Sequence, residues 1–288
     1  MKQILFLSGK GGTGKTSLAA AFAVLAEDRI LADCDVDAAN LHLLLQPDVF
    51  ADGDFEGAKG ATRDAAACIG CGRCKDVCRF NAIDADFTID PYLCEGCGAC
   101  ETVCPTDAIV LEPQVSGRWF NANTRWGLLA SAELLPGEET SGKLVMQVKK
   151  NMQTMAETAN PTWAIVDGSP GIGCPVIASV SGVDVVVLVT EPSLSGMHDL
   201  KRILGVVNHF RVPSFLVINK ADLSADVTRQ LQQFALDNHL TVLGTIPYDP
   251  AVTACLLEGR SVVTEQDSPA GTAMRDIFNR FMEAIRDR

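Results

Sequence analysis

Eight of the chain's eleven cysteines fall between residues 68 and 104, in two runs of one pattern: Cys68-x2-Cys71-x2-Cys74-x3-Cys78 and Cys94-x2-Cys97-x2-Cys100-x3-Cys104-Pro105. Four thiolates at this spacing wrap an iron–sulfur cubane. Structural zinc sites instead pair two short C-x2-C knuckles across a longer spacer, whereas here three cysteines step by three. In a reducing compartment such a group of cysteines holds metal rather than forming disulfides. A second chemical element lies near the N-terminus, where Gly9-Lys10-Gly11-Gly12-Thr13-Gly14-Lys15-Thr16 follows an apolar run and matches G-x-x-x-x-G-K-[ST]. Its glycines let backbone N–H groups converge on phosphate oxygens, and the helix that follows turns its positive end toward them. Lys15 is placed to neutralise the β- and γ-phosphates and the Thr16 hydroxyl to ligate Mg2+. Residues 9–17, closing at Ser17, are the expected nucleotide loop.

The cysteine runs form an internal repeat of period 26, with nine of sixteen positions identical between Cys68–Ile83 and Cys94–Ile109. They resemble the bacterial two-cluster ferredoxin run, in which the fourth cysteine of each run ligates the other run's cluster. That resemblance implies one [4Fe–4S] on Cys68, Cys71, Cys74 and Cys104 and a second on Cys94, Cys97, Cys100 and Cys78. The first run departs from the pattern, since Arg79 follows Cys78 where proline is usual, a change that bears on the turn more than on ligation. About 50 residues rarely fold alone without a metal or disulfides. Residues 61–111 are therefore expected to be a small ferredoxin-like α+β domain inserted between residues 1–60 and 112–288.

The flanking sequence must position the phosphate loop. Apolar runs such as the one at residues 183–189 read as strands buried on both faces of a parallel sheet. Strands are predicted at residues 3–7, 30–32, 144–148, 163–166, 183–189, 214–218 and 241–246, with helices at 15–27, 175–181, 195–210, 224–238 and 269–286. This alternation predicts a doubly wound α/β domain with a mostly parallel sheet. Residues 115–142 read only as irregular strand and loop. Asp37 reads as a helix N-cap before Ala38; Cys34, Cys255 and His42 read as core residues. The last helix carries Met274, Ile277, Phe278, Phe281, Met282 and Ile285 on one face, with arginines and acids alternating on the other, which predicts docking on its own sheet rather than on a membrane.

Lys10 gives the loop a second lysine, and GKGGTGKT resembles the deviant Walker A motif of the MinD/Mrp/ParA superfamily of dimeric ATPases, which includes the nitrogenase iron protein. The resemblance implies that Lys10 reaches across a nucleotide-sandwich dimer to the partner's ATP. Strand 30–32 leading into Asp33-Cys34-Asp35 looks like the family's switch I, with Asp35 orienting the attacking water and Asp33 nearer Mg2+. The apolar strand ending at Asp167 looks like its switch II, with Asp167 as the carboxylate behind Mg2+. Asn219-Lys220-Ala221-Asp222 reads as a base-recognition loop: NKxD is a guanine-specifying pattern, yet in MinD-like proteins the asparagine contacts adenine, so ATP is favoured and GTP stays open. Pro247, after the last strand, resembles a second base-contacting loop. Cys174 lies seven residues after Asp167, the offset at which the iron protein carries a cluster ligand on its dimer axis. It is either an interface thiol for metal or redox chemistry or a buried small hydrophobe.

A composition of 47% hydrophobic and 21% charged residues excludes whole-chain disorder. The formal net charge of −12 argues against a broad phosphate-backbone footprint on nucleic acid and against anionic membrane. Ile4 to Leu7 is too short for a signal or a span, so a cytoplasmic location is expected. Between Arg63 and Asp107 eight acids face four bases, which suits low-potential centres and a client with a basic face. Three functions follow. The first is an ATPase that gates electron flow from the clusters to a partner; the others are an iron–sulfur carrier like Mrp-type relatives and a MinD/ParA-like spatial organiser. The first is preferred.

Overall fold

A computed structural model describes residues 1–139 and 141–286. The elements in chain order are β1 (Lys2–Leu7), α1 (Lys15–Leu25), β2 (Arg29–Asp33), α2 (Leu41–Leu45), β3 (Asp48–Phe55), β4 (Ala58–Arg63), α3 (Arg73–Val77), α4 (Ala99–Thr102), β5 (Ile109–Gln114), β6 (Gly117–Thr124), β7 (Gly127–Leu134), α5 (Ser141–Ala159), β8 (Trp163–Asp167), α6 (Cys174–Val180), β9 (Val185–Thr190), α7 (Leu194–His209), β10 (Ser214–Asn219), α8 (Ala225–Asp237), β11 (Thr241–Ile246), α9 (Pro250–Leu257) and α10 (Pro269–Arg286). The main sheet has the order β11-β10-β9-β1-β8-β2-β7-β6-β3. Its pairs β1 with β8 and β9, β9 with β10, β10 with β11, and β2 with β8 and β7 are all parallel. Strand β1 sits where the winding reverses, so the loop after it opens into the crevice at the strands' carboxyl ends.

The chain divides into two compact units: Met1–Asp52 with Trp119–Glu133 and Ser141–Arg288, and Gly53–Arg118 with Leu134–Thr140. In the first, the alanine-rich α1 is buried along Leu18–Ala23 against β1. Phe22 meets Phe6, Phe278 and Phe281 edge-on with ring centroids 4.9–5.3 Å apart. The apolar face of α10 is thus spent on this core, with Met274, Ile277, Phe281 and Ile285 all buried. Among the described residues no helix is long and apolar enough to cross a membrane.

Two predicted elements differ. Residues 144–148, expected as a strand, lie in α5, because Leu144, Val145, Val148, Met152 and Ala156 recur at helical spacing and bury one face. Residues 115–142, expected as irregular, hold β6 and β7, and β7 lengthens the sheet by pairing with β2. Asp37 caps no helix: α2 begins four residues later behind Asn40. His42 is only half-buried, while Cys34 and Cys255 are core residues as expected.

Candidate functional site: a phosphate loop and two cysteine hollows

The phosphate loop leaves β1 at Ser8 and enters α1 at Lys15, with Gly12 and Gly14 both at positive φ. At Gly14 a side chain is excluded twice over, by φ of +89° and because a Cβ would strike Asn219 Nδ2. Lys15 is almost wholly buried. Its Nζ lies 2.6 Å from Asp167 Oδ1 and 3.4 Å from Asp35 Oδ2, while the Thr16 hydroxyl donates to Asp167 Oδ2 at 2.5 Å. Burial alone would lower the Lys15 pKa; Asp167 and Asp35 outweigh it and hold the ammonium charged.

The acidic strand ends are arranged unequally. Asp33, fully buried, accepts the backbone amides of Asp35, Asn40 and Leu41 at 3.0–3.2 Å and so fixes the loop after β2. Burial, with Asp167 nearby, pushes Asp33 up to about 7, and burial pushes Asp35 up to about 6 against the pull of Lys15. The loops after β2 and β8 are stitched together: Cys34 N–H donates to the Asp167 carbonyl at 2.7 Å and Ser169 Oγ to the Cys34 carbonyl at 2.7 Å. The Gly171 amide ties the second loop back to the Ser8 carbonyl at 2.9 Å. Cys174, the first residue of α6, is exposed, which removes the reading of it as a buried hydrophobe.

Asn219 braces the phosphate loop from β10, its Nδ2 donating to the Thr13 carbonyl at 2.8 Å. Lys220 donates to the Gly12 carbonyl at 3.0 Å, and Asp222 accepts the Tyr248 amide at 2.7 Å, next to Pro247. Lys10 is held within its own chain, 2.7 Å from Glu191 Oε1, with Ser195 Oγ at 2.9 Å.

Two residues of consequence escaped the sequence reading. Glu191 follows β9, and its place at a strand's carboxyl end was the available signal. Lys149 is buried on α5 and donates to the carbonyls of Ser179 and Ser181 at 2.9 and 2.5 Å, closing the C-terminal end of α6. A lone lysine inside an apolar helical stripe was its signal.

In the other unit the repeat is conformational as well as sequential. Gly70 and Gly96, Gly72 and Gly98, and Asn81 and Asp107 all take positive φ, and the turn at Arg79 matches the one at Pro105. Strand β4 pairs antiparallel with β5, over a small core of Ala61, Ile83 and Ile109. One hollow is lined by Cys68, Cys71, Cys74 and Cys104, the other by Cys78, Cys94, Cys97 and Cys100. Among the described residues no group of three or more Cys, His, Asp or Glu side chains is placed to hold a metal ion. The Gly70 amide, with Arg63, holds Cys68 below the usual thiol range and the Thr106 amide does so for Cys104, whereas burial raises Cys74 and Cys100.

A glycine loop between a buried strand and a helix, with acidic strand ends converging on its lysine, defines a P-loop nucleoside triphosphatase on a doubly wound sheet. The chain belongs to the CobQ/CobB/MinD/ParA nucleotide binding domain family, whose pattern matches residues 4–262, and is thereby a MinD/ParA-type P-loop ATPase. It is 33% identical over 290 residues, 98% of this chain and 97% of the relative, to an uncharacterised protein of Methanocaldococcus jannaschii. It is 26% identical over 161 residues to the septum site-determining protein MinD of Bacillus subtilis, covering 52% of this chain and 58% of that one. Among solved structures it shares the fold of the Pyrococcus furiosus cell division ATPase MinD, with TM-score 0.60, 17% identity and coverage of 98% and 99%. It also shares that of Pyrococcus horikoshii MinD complexed with Mg-ADP, with TM-score 0.58, 17% identity and coverage of 97% and 95%.

Proposed function

We propose that the protein is an ATP-hydrolysing iron–sulfur protein that couples nucleotide-driven changes in its switch loops and dimer state to low-potential electron transfer to a partner. One observation carries this reading: a single chain holds both a phosphate loop facing acidic strand ends and two cysteine quartets, each around its own hollow in the crossed order of two-cluster proteins. Cys68, Cys71, Cys74 and Cys104 would hold one [4Fe–4S] cluster, and Cys94, Cys97, Cys100 and Cys78 the other. When bound, such clusters supply one-electron centres whose potential the surroundings set. The acidic module disfavours added electrons and presents a negative face to a basic client.

The chain's own residues do the nucleotide chemistry. Lys15 leaves Asp167 for the β- and γ-phosphates of ATP, and Thr16 and Asp167 would then hold Mg2+, which supplies charge neutralisation. Asp35, ionised at pH 7 with its pKa near 6, is a better proton acceptor than an ordinary carboxylate and is suited to orient the attacking water. Asp33, expected near Mg2+, acts by fixing the loop that carries Asp35. Asn219 and Pro247 flank the adenine, and Lys10 meets the partner's nucleotide in a homodimer. Along the chain switch I is followed by α2 and then β3, which leads into the cysteine unit, a covalent route for coupling.

An anaerobic EPR redox titration with and without MgATP tests the reading. A nucleotide-dependent shift in a cluster potential or spectrum is expected; identical titrations would refute direct coupling. The septum-site relatives favour a second reading, a spatial organiser, which requires ATP-dependent sedimentation with liposomes or DNA.

A further inference from the structure

Glu191 lies between two loops that must both serve the nucleotide. Its Oε1 is 2.7 Å from Lys10 Nζ in the phosphate loop, and its Oε2 is 3.0 Å from Lys220 Nζ in the loop after β10. Lys220 also holds the Gly12 carbonyl at 3.0 Å, so the second lysine ties the same carboxylate to the far side of the phosphate loop. Lys10 has further acceptors in the hydroxyls of Ser195 at 2.9 Å and Ser193 at 3.4 Å. Those hydroxyls stand 3.1 Å apart, and Ser193 caps α7 by accepting the Gly196 amide at 3.0 Å. The Lys10 donors are therefore met by a carboxylate and two hydroxyls of one short segment, Glu191 to Ser195. Burial raises the Glu191 carboxyl, but the Lys10 and Lys220 hydrogen bonds outweigh it and leave its pKa below the ordinary value. The carboxylate is charged at neutral pH.

A lysine held by these contacts points back onto its own chain rather than outward. We propose that Glu191 is a positioning residue that parks Lys10 in cis, so that Lys10 turns outward only when a second copy of the chain offers a phosphate group in exchange for the carboxylate. This rests on the nucleotide-sandwich reading above and adds to it a restraint: the unpaired protomer is kept from engaging a partner until charge is available to replace Glu191. The Lys220 contact makes the restraint sensitive to the base loop, because the same carboxylate serves both lysines.

Two measurements on the full-length, cluster-loaded protein separate the restraint from the sandwich reading. First, the rate at which Lys10 is acylated by an amine-reactive probe is followed by mass spectrometry without nucleotide, in the wild type and in Glu191→Gln. Second, sedimentation velocity with MgATP gives the protein concentration at which each dimerises. Parking predicts Lys10 acylation several-fold faster in the variant and dimerisation at a several-fold lower concentration. Ser195→Ala, at an exposed position, is expected to move both readouts the same way by a smaller factor and guards against misfolding of the first variant. Unchanged Lys10 reactivity in both variants overturns the proposal, as does faster acylation with dimerisation at the wild-type concentration. Faster acylation with no MgATP-dependent dimer in any of the chains upholds parking and refutes the sandwich.

Discussion

Lys15 Nζ and Asp167 Oδ1 are 2.6 Å apart with both side chains buried, so the phosphate-binding lysine and the carboxylate at the end of β8 neutralise one another. Removing one partner strands a buried charge, a loss of about 3 kcal/mol or more. Lys15→Ala is expected to lower the melting temperature and to abolish ATP binding, read by calorimetry. A variant that melts as the wild type would refute the pairing.

Asp33, pushed up to about 7, and Asp35 both make stability fall as pH rises, and Asp35 is the less deeply buried of that pair and can be removed without unpicking the loop after β2. Its folded-state pKa of about 6 is raised above the ordinary carboxylate value, so the folded chain binds a proton that the unfolded chain releases. The resulting stability is present below about pH 4 and is lost as pH rises through 6. Asp35→Asn should flatten this part of the profile and recover on the order of 1–3 kcal/mol at pH 7.5. Melting between pH 4 and 8 without nucleotide checks it; the Asp33 contribution remains in the variant, and a fall as steep as in the wild type would assign the whole effect to Asp33.

Nucleotide choice rests on Asp222. A guanine-reading aspartate faces the base with its carboxylate, and one oxygen of Asp222 already accepts the Tyr248 amide at 2.7 Å. We expect ATP to displace a fluorescent analogue at least about tenfold better than GTP, about 1.4 kcal/mol. Asn219→Ala, which removes the brace on Thr13, should weaken ATP by about as much. Equal competition by GTP would restore the guanine reading of NKxD.

The crossed cysteine sets can be tested by pairing substitutions. Cys78→Ser with Cys94→Ser touches one expected cluster and should leave about half of the roughly eight iron atoms, while Cys78→Ser with Cys68→Ser should remove nearly all. Iron analysis with EPR distinguishes the two. The reverse pattern would show that each run closes on itself. Loss of iron from Cys174→Ser would extend the ligand set to α6.

Lys149 holds the end of the helix that follows the Asp167 loop. Lys149→Met keeps the apolar stem but leaves the buried Ser179 carbonyl without this donor, at about 1–3 kcal/mol. Faster amide exchange in residues 174–181 is the expected sign. Protection equal to wild type would mean that the carbonyl finds another donor.

What could be read from residue order alone is what depends on neighbours in the chain. The phosphate loop requires glycines at fixed steps before a helix, the cysteine runs repeat over sixteen positions, and the strands buried on both faces are continuous apolar runs. The crossed grouping of cysteines is what the resemblance to two-cluster ferredoxins implies, since spacing alone does not say which run's fourth cysteine serves which cluster. The period of residues 144–148 was misjudged because five apolar-rich residues fit strand or helix alike, and only the longer stripe to Ala156 decides. Likewise β6 and β7 carry mixed side chains, and their pairing with distant strands, not local preference, makes them sheet.

Tertiary structure alone decided the electrostatics. That Asp33 spends its carboxylate on loop amides, that Lys149 closes a helix thirty residues away, that Lys10 and Lys220 share Glu191, and that Lys220 holds the Gly12 carbonyl are contacts between segments up to 208 residues apart. Charge interactions act through space and depend on burial. Sequence can name the charged groups; only the fold determines which of them are brought together and how much water is left between them.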